Sequence, residues 1–536
     1  MKIKYIATLF SSVLVAIVLT GCGQSSASSD KNRPLTVTLS GEPATADPAQ
    51  TTDVNSSTIV SQTMQGLYTL SSSGKVVSSV AKQVVKPTDG GKRYVFNLRK
   101  TKWSNGQEVT AKDFVAGFQR AVNPKTKSQR LANYKFIKNF KAVSTGKAPV
   151  SKFGVKALSK YRFEIQLPAP VPYFNYLLTD YYPINQSAAK KFGSSYGTSS
   201  DKLVTNGPYK LIGWNGTSTS FKLKRNPNYN IRKVRISTVN VKVEKDSSTA
   251  LNLFKANKVQ ITQLTGQLVK ANANNSSLKT TKILRNAYLE FNSKSKTTNN
   301  TNLHKAISYA LDREQLTKSV LQDGSVAAWS MVPQGDATNP TTGEDFAKEV
   351  GNKLKVNTKA AKSYWKKAQS ELGKKQISVQ LLTGDDDASK QVGEYMQAVV
   401  KKELPGLTLT LKAVPQAQHI QMGSDKNYEI NLDGWSTGLY DPADFLQMAE
   451  YGNALSFSNW KDATYQKLIS QINDTTKYSE KQRYDLMIKA DKYLMQQQGI
   501  VPLYQVAQSN LVDKRLGGIS FTALSGIQYQ YAYWKS

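Results

Sequence analysis

Cysteine is almost missing from this 536-residue chain: there is one, Cys22, alongside only two histidines, His304 and His419. A single cysteine excludes a disulfide-stapled fold, so stability has to come from burial. A serine or cysteine hydrolase with a histidine base would need one of those histidines beside its nucleophile. The two stand far apart in sequence, on segments that read as helices. No Gly-rich phosphate loop ends in Lys-Ser or Lys-Thr, which excludes nucleotide hydrolysis by this chain. Asp385-Asp386-Asp387 lacks the alternating ligands and distal glutamate of a calcium loop and reads as a helix cap with solvated neighbours. The residues therefore imply no catalytic group, no metal and no cofactor. Long apolar runs are also absent beyond the first twenty residues, so no later segment reads as a membrane span.

What is present begins at the N-terminus. Lys2 and Lys4 precede an apolar run from Ile6 to Leu19, broken only by Thr8, Ser11 and Ser12. That is the anatomy of a secretory signal, and it falls short of the ~20 residues a spanning helix needs. Leu19-Thr20-Gly21-Cys22 resembles the bacterial lipobox, whose cysteine is acylated and becomes the mature N-terminus. Residues 1–21 are then a lipoprotein signal peptide, with Cys22 the lipid attachment. Residues 22–30 are a Gly/Ser-rich flexible tether. The other reading is an ordinary cleaved signal with a buried cysteine. One acyl chain holds a protein weakly, and stable anchoring needs a second apolar or polybasic contribution.

Acid is scarce: 72 Lys and Arg stand against 38 Asp and Glu, a formal charge of +34. The cations are dispersed with acids between them, the densest group being Arg225, Arg232, Lys233 and Arg235. On an exported chain, dispersed charge favours salt-sensitive attraction to anionic lipid and wall polymer over a nucleic-acid partner. Hydrophobic content of 39% with 10% aromatic residues fits a globular protein too long for one core.

The periodicity predicts an α/β chain. Thr36 to Leu39, Arg93 to Leu98 and Tyr161 to Leu167 alternate as strands, the last with Phe163, Ile165 and Leu167 on one face. Thr110-Ala111-Lys112-Asp113 opens a helix whose Phe114 and Phe118 share a face. Further helices are predicted from Asn302, from Asp312 to near Gly324, and from Thr358 to Gly373. Ile377, Val379 and Leu381 form a strand; a helix runs to Pro405-Gly406; Leu407, Leu409 and Leu411 form the next strand. Strand, helix, strand in fewer than forty residues is a right-handed crossover between parallel strands.

Several blocks in order then resemble one family. They are Glu42 to Pro48, Phe96 to Lys100, Trp103-Ser104-Asn105-Gly106 and Thr110 to Phe114. Asn206-Gly207-Pro208-Tyr209 with Trp214, Arg225 to Tyr229, Phe291-Asn292, Gly434-Trp435 with Asp441-Pro442, and Pro502-Leu503-Tyr504 complete the series. Together they resemble the oligopeptide-binding lipoproteins of peptide ABC importers, extracellular solute-binding protein family 5. The resemblance implies a two-lobe, Venus-flytrap fold of the periplasmic-binding-protein kind, with an extra domain inserted in the first lobe. Lobe I would comprise 31–64, 191–283 and 506–536, the extra domain 65–190, and lobe II 284–505. The implied partners are a peptide ligand, ABC permease subunits and the membrane through the N-terminal lipid. The chain would act as a monomer on the outer face of the cell membrane of a Gram-positive bacterium, and a pheromone receptor or surface adhesin on the same fold is the alternative.

The family's main-chain contacts to peptide fall here on Thr52, Asp53 and Val54 and on Gly434, Trp435, Ser436, Thr437 and Gly438, with Trp435 walling a pocket. Many members carry an aspartate where this chain has Gly438, pairing with the peptide's free α-amino group. Its loss implies a different hold on the N-terminus, so that blocked, longer or threaded peptides are accepted. Asp441 is the candidate substitute, although it also matches the acid of a structural turn.

Overall fold

The computed structural model describes residues 33–535 except 72–73, 437–439, 454–455 and 522–525. The expected signal peptide, Cys22 and the tether, and Thr437 and Gly438 of the expected site, lie outside the described residues. Seven strands and one helix frame the centre of the molecule: β1 (Leu35–Leu39), α1 (Val54–Thr63), β2 (Ile261–Leu264), β3 (Leu278–Phe291), β4 (Ile377–Gly384), β5 (Leu407–Val414), β6 (Ile430–Ser436) and β7 (Ile500–Val512). The strands belong to one mixed sheet of eleven, ordered β5-β4-β6-β3-β7-β2-β1 and then Thr238–Val243, Ser220–Arg225 and Tyr209–Ile212, with Val326–Ala327 paired to β7 off that path.

β3 and β7 are the long members, 14 and 13 residues, and they run antiparallel to each other. From Leu278↔Leu511 to Lys282↔Ala507 they pair beside β2; the register then slips, and Asn286↔Gln505 to Glu290↔Ile500 pair beside β6. Extra residues in one strand bend a ladder locally. The ladder is therefore interrupted at 283–285, while both strands continue past it from one half of the sheet to the other.

Separate cores lie on either side of that interruption. Leu35, Val37, Trp214, Phe221 and Val239 bury together in the first half. In the second, Leu303, Ile307, Trp365, Val392 and Met396 pack as one cluster, and Phe346, Phe445, Trp460, Tyr465 and Leu494 as another. A third mass, built from Tyr68 to Tyr181, is dominated by rings: Phe118 meets Phe163 at 5.4 Å and Tyr134 stacks on Tyr181 at 4.5 Å. Such pairs add about 0.5–1.5 kcal/mol beyond their buried area.

Local signals act as their chemistry dictates. Thr110 and Asp113 form a capping box, and Phe114 and Phe118 are fully buried on the helix they open. Asn357 caps the helix Thr358–Leu372, and Gly373 ends it in the left-handed region at φ 66°. β4 and β5 pair in parallel across the helix Asp387–Glu403, which Asp386 caps. Two details differ from the sequence pattern. Asp312 caps its helix as expected, but Leu316–Leu321 winds as a π-helix. There the Thr317 hydroxyl donates to the Arg313 carbonyl, a back-bond that bends helices. Glu164, on the polar face of its strand, is nonetheless buried, because Arg93 Nε donates to it at 2.8 Å and Gln166 Nε2 at 2.8 Å.

Candidate functional site

A cavity of about 810 Å³ opens where the three masses meet. Its first wall is the segment Thr51-Thr52 with Ser57 of α1; the ring-rich mass contributes Phe136, Tyr173 and Tyr176; β6 contributes Trp435 and Ser436. Contacts across the gap hold the walls together. The Thr475 hydroxyl donates to the Pro170 carbonyl at 2.6 Å, and the Tyr176 and Tyr440 rings lie 5.2 Å apart. The Arg483 guanidinium sits 5.8 Å from the Tyr173 ring. A smaller cavity of about 340 Å³, lined by Asn286, Trp329 and Gln505, contains none of the expected site residues.

β6 explains why this gap suits an extended chain. On one edge it is fully paired with β3, through Gly434↔Ala287, Trp435↔Asn286 and Ser436↔Arg285. On the other, β4 covers it only at Ile430 and Asn431. Among the described residues no strand pairs with that edge from Leu432 to Ser436, where the strand enters the cavity. Unpaired strand edges are templates for an added strand. Gly434 leaves room above the strand for Arg285, whose Nη2 would stand 2.8 Å from any added Cβ. The Trp435 indole is aimed by a hydrogen bond from its Nε1 to the Asp444 carboxylate at 3.0 Å, which also accepts from Gln447 Nε2 at 2.7 Å.

The other expected residues divide. Thr52 lines the cavity. Asp53 spends its carboxylate on the Ser56 N–H at 2.8 Å as the cap of α1, and Val54, the first residue of that helix, is 74% exposed. Neither Asp53 nor Val54 lines the cavity. Asp441 is buried in a two-pronged ion pair, accepting from Arg483 Nη1 at 2.6 Å and Nη2 at 3.0 Å, and it also accepts from the Ala443 N–H at 2.9 Å. Arg483 lines the cavity; Asp441 does not.

Sequence reasoning missed the ring-rich wall and the Arg130–Asp180 ion pair beside it. The run Pro168 to Tyr182, dense in proline and tyrosine, was the signal available. It also missed a buried acidic relay behind β6: Asn431 Nδ2 donates to Glu290 at 2.8 Å, and Asn431 Oδ1 meets His419 Nε2 at 2.8 Å. Burial, reinforced by Asp433, pushes the Glu290 carboxyl well above its ordinary range. His304 is stacked on Phe291 at 3.8 Å, and burial lowers its pKa to about 4. Among the described residues no group of three or more His, Cys, Asp or Glu side chains is placed to hold a metal ion.

The chain is similar over most of its length to known proteins. The family model described as bacterial extracellular solute-binding proteins, family 5 middle, matches residues 75–456. A dipeptide-binding protein of Lactococcus lactis subsp. cremoris is 31% identical, covering 96% of this chain and 96% of its own length. The structure of Listeria monocytogenes OppA bound to peptide is similar with a TM-score of 0.83 at 31% identity, over 94% of this chain and 99% of that one. That of the pheromone receptor PrgZ is similar with a TM-score of 0.83 at 32% identity, over 94% and 100%.

Proposed function

Because this chain belongs to the bacterial extracellular solute-binding proteins of family 5, we propose that it captures peptides outside the cell and delivers them to the membrane subunits of an ABC importer. The observation that carries this is the open edge of β6 on the cavity between the lobes. An extended peptide offers the same main-chain donors and acceptors whatever its side chains, so strand pairing gives affinity without sequence. A cavity of this size retains water, which bridges side chains of different lengths. The family is one of substrate-binding proteins, and we assign this chain no catalysis and no cofactor.

Gly434 to Gly438 present main chain to the peptide and Trp435 walls a side-chain pocket. Thr52 faces it from the first lobe, with Asp53 and Val54 shaping the turn into α1. Residues 31–64, 191–283 and 506–536 form lobe I, 65–190 the extra domain and 284–505 lobe II, with the slip between β3 and β7 as the hinge. Because Gly438 replaces the usual aspartate and Asp441 is committed to Arg483, the N-terminus is not held by a buried carboxylate in the usual way. Calorimetry of one peptide with and without N-acetylation tests this. Affinities within about tenfold are expected, since losing one partner of a buried charge pair costs about 2–5 kcal/mol. A loss beyond about a hundredfold (about 3 kcal/mol) overturns it.

The mature protein is a monomer anchored through acylated Cys22 on the outer face of a Gram-positive membrane. Cys22→Ala releases it from the membrane without unfolding; retention in the pellet at high salt counts against the lipid. The likeness to PrgZ favours a second reading, a pheromone receptor on the same fold. A deletion strain that fails to grow on peptide as sole amino-acid source supports uptake; normal growth with a lost response to one peptide supports the receptor. Failure of the protein purified from its host to carry or bind any peptide ends both.

A further inference from the structure

The last residues of the chain gather cations. Arg232 lies 4.6 Å over the Tyr531 ring and Arg235 4.7 Å over Tyr533; Arg33 and Arg515 lie 4.5 and 5.8 Å from the Trp534 ring. The short strand Tyr533–Trp534 pairs with Leu516–Gly517, the Lys535 N–H donates to the Arg515 carbonyl, and Lys535 Nζ donates to the Lys514 carbonyl at 2.8 Å. Arg232, Arg235, Lys514, Arg515 and Lys535 are all exposed, and Lys233 is exposed beside them. Asp513, bound to Arg515 at 2.6 Å, is the acid seated in the group. What separates this patch from the dispersed lysines elsewhere is its chemistry. Guanidinium groups are held within 4.5 to 5.8 Å of ring centres, presenting cationic donors and half-buried aromatic surface together. That pairing suits the headgroup layer of a membrane, where tyrosine and tryptophan settle and arginine meets phosphate.

Its place in the chain points the same way. Arg33 is part of the patch and stands eleven residues after Cys22, so it lies within about 40 Å of the proposed lipid however the chain runs. None of these side chains lines the cavity. We propose that this patch docks on anionic lipid headgroups, supplying the polybasic contribution that a single lipid anchor lacks and leaving the peptide cavity free. The proposal rests on the surface location given under the proposed function, and peptide affinity measured in parallel separates its failure from that of peptide capture.

The test uses residues 22–536 with Cys22→Ser, so that no lipid is attached. They are mixed with phosphatidylcholine vesicles, with or without about a third phosphatidylglycerol. The protein should sediment only with the anionic vesicles and should be released at about 1 M salt, where screening shortens to about 3 Å. Replacing Arg232, Lys233 and Arg235 by glutamine should weaken binding about a hundredfold, since each cation at such a surface is worth about fivefold. Replacing Lys359, Lys366 and Lys374, exposed on the second lobe, removes the same net charge and should change binding by less than about fivefold. Retained peptide affinity shows that each variant is folded; Lys233→Gln alone, expected to lose about fivefold, serves if the triple variant is not. Equal losses from both triple variants, no binding to anionic vesicles, or tighter binding to soluble poly(glycerol phosphate) than to vesicles would each overturn the proposal.

Discussion

Replacing Asp441 separates a structural ion pair from a peptide-gripping one. Its carboxylate and the Arg483 side chain are each 6% exposed, and two charge-assisted hydrogen bonds join them. Arg483 Nε is already spent on the Ile472 carbonyl at 2.9 Å, so without Asp441 the rest of its guanidinium is buried beside a hydrophobic cluster with its counter-ion gone. Removing one partner of such a pair costs about 3–5 kcal/mol, most of it the penalty of the stranded charge. Asp441→Ala should lose that much in urea unfolding followed by tryptophan fluorescence, and Asp441→Asn slightly less because it can still accept from the Ala443 N–H. Asp441→Leu with Arg483→Met, which removes both charges, should recover stability to within about 2 kcal/mol of the original chain. Peptide affinity of Asp441→Asn, measured where it is folded, should be nearly unchanged. The reasoning is refuted if Asp441→Asn is as stable as the original protein while losing affinity only for peptides with a free amino terminus. That pattern would mean that the carboxylate serves the ligand and not Arg483.

Trp435→Ala should weaken peptide binding by about 1–3 kcal/mol in calorimetry, as central aromatic contacts do, with little change in unfolding midpoint. Gly434→Val should weaken it too, because the added side chain displaces Arg285 from over the strand, and unchanged affinity would remove Gly434 from the site. The folded state keeps the Glu290 proton above the pH at which the unfolded chain releases it, near 4.5, so the folded protein binds more protons and stability falls as pH rises from there. Glu290→Gln should therefore gain stability relative to the original chain as pH climbs above 4.5, and a gap independent of pH would contradict burial as the cause. Removing bound peptide should open the lobes and enlarge the particle in small-angle scattering; identical profiles with and without a tightly bound peptide would end the hinge assignment.

What could be read from the residues was what neighbours in sequence decide. Thr110 with Asp113, Asn357 and Asp386 announce helix starts because a cap and its amide lie within three residues. Ile377, Val379 and Leu381 announce a buried face because period two is a property of one strand. β3 was opaque for the opposite reason. Its Lys279-Thr280-Thr281-Lys282 stretch and Arg285 break the apolar pattern, and only pairing with β7, more than two hundred residues on, makes it a strand. The partner of Asp441 lies 42 residues away and that of Glu164 71 away, so nothing local reveals that either acid is buried. At the site, Gly434 and Trp435 were legible as a motif, whereas the opposing rings of Tyr173 and Tyr176 reach the cavity through tertiary packing alone.

The register slip between β3 and β7 has a mechanical consequence. With that slip as the proposed hinge, two strands remain hydrogen-bonded on either side of it, so the joint would be a leaf spring and not a loose pin. A leaf spring has a resting curvature, written into the lie of its backbone, and it returns to it when unloaded. With that hinge, a bound peptide would supply only the difference between two curvatures, and its departure would be helped by the same recoil. Arg285, inside the slip and over Gly434, sits where that recoil would reach β6.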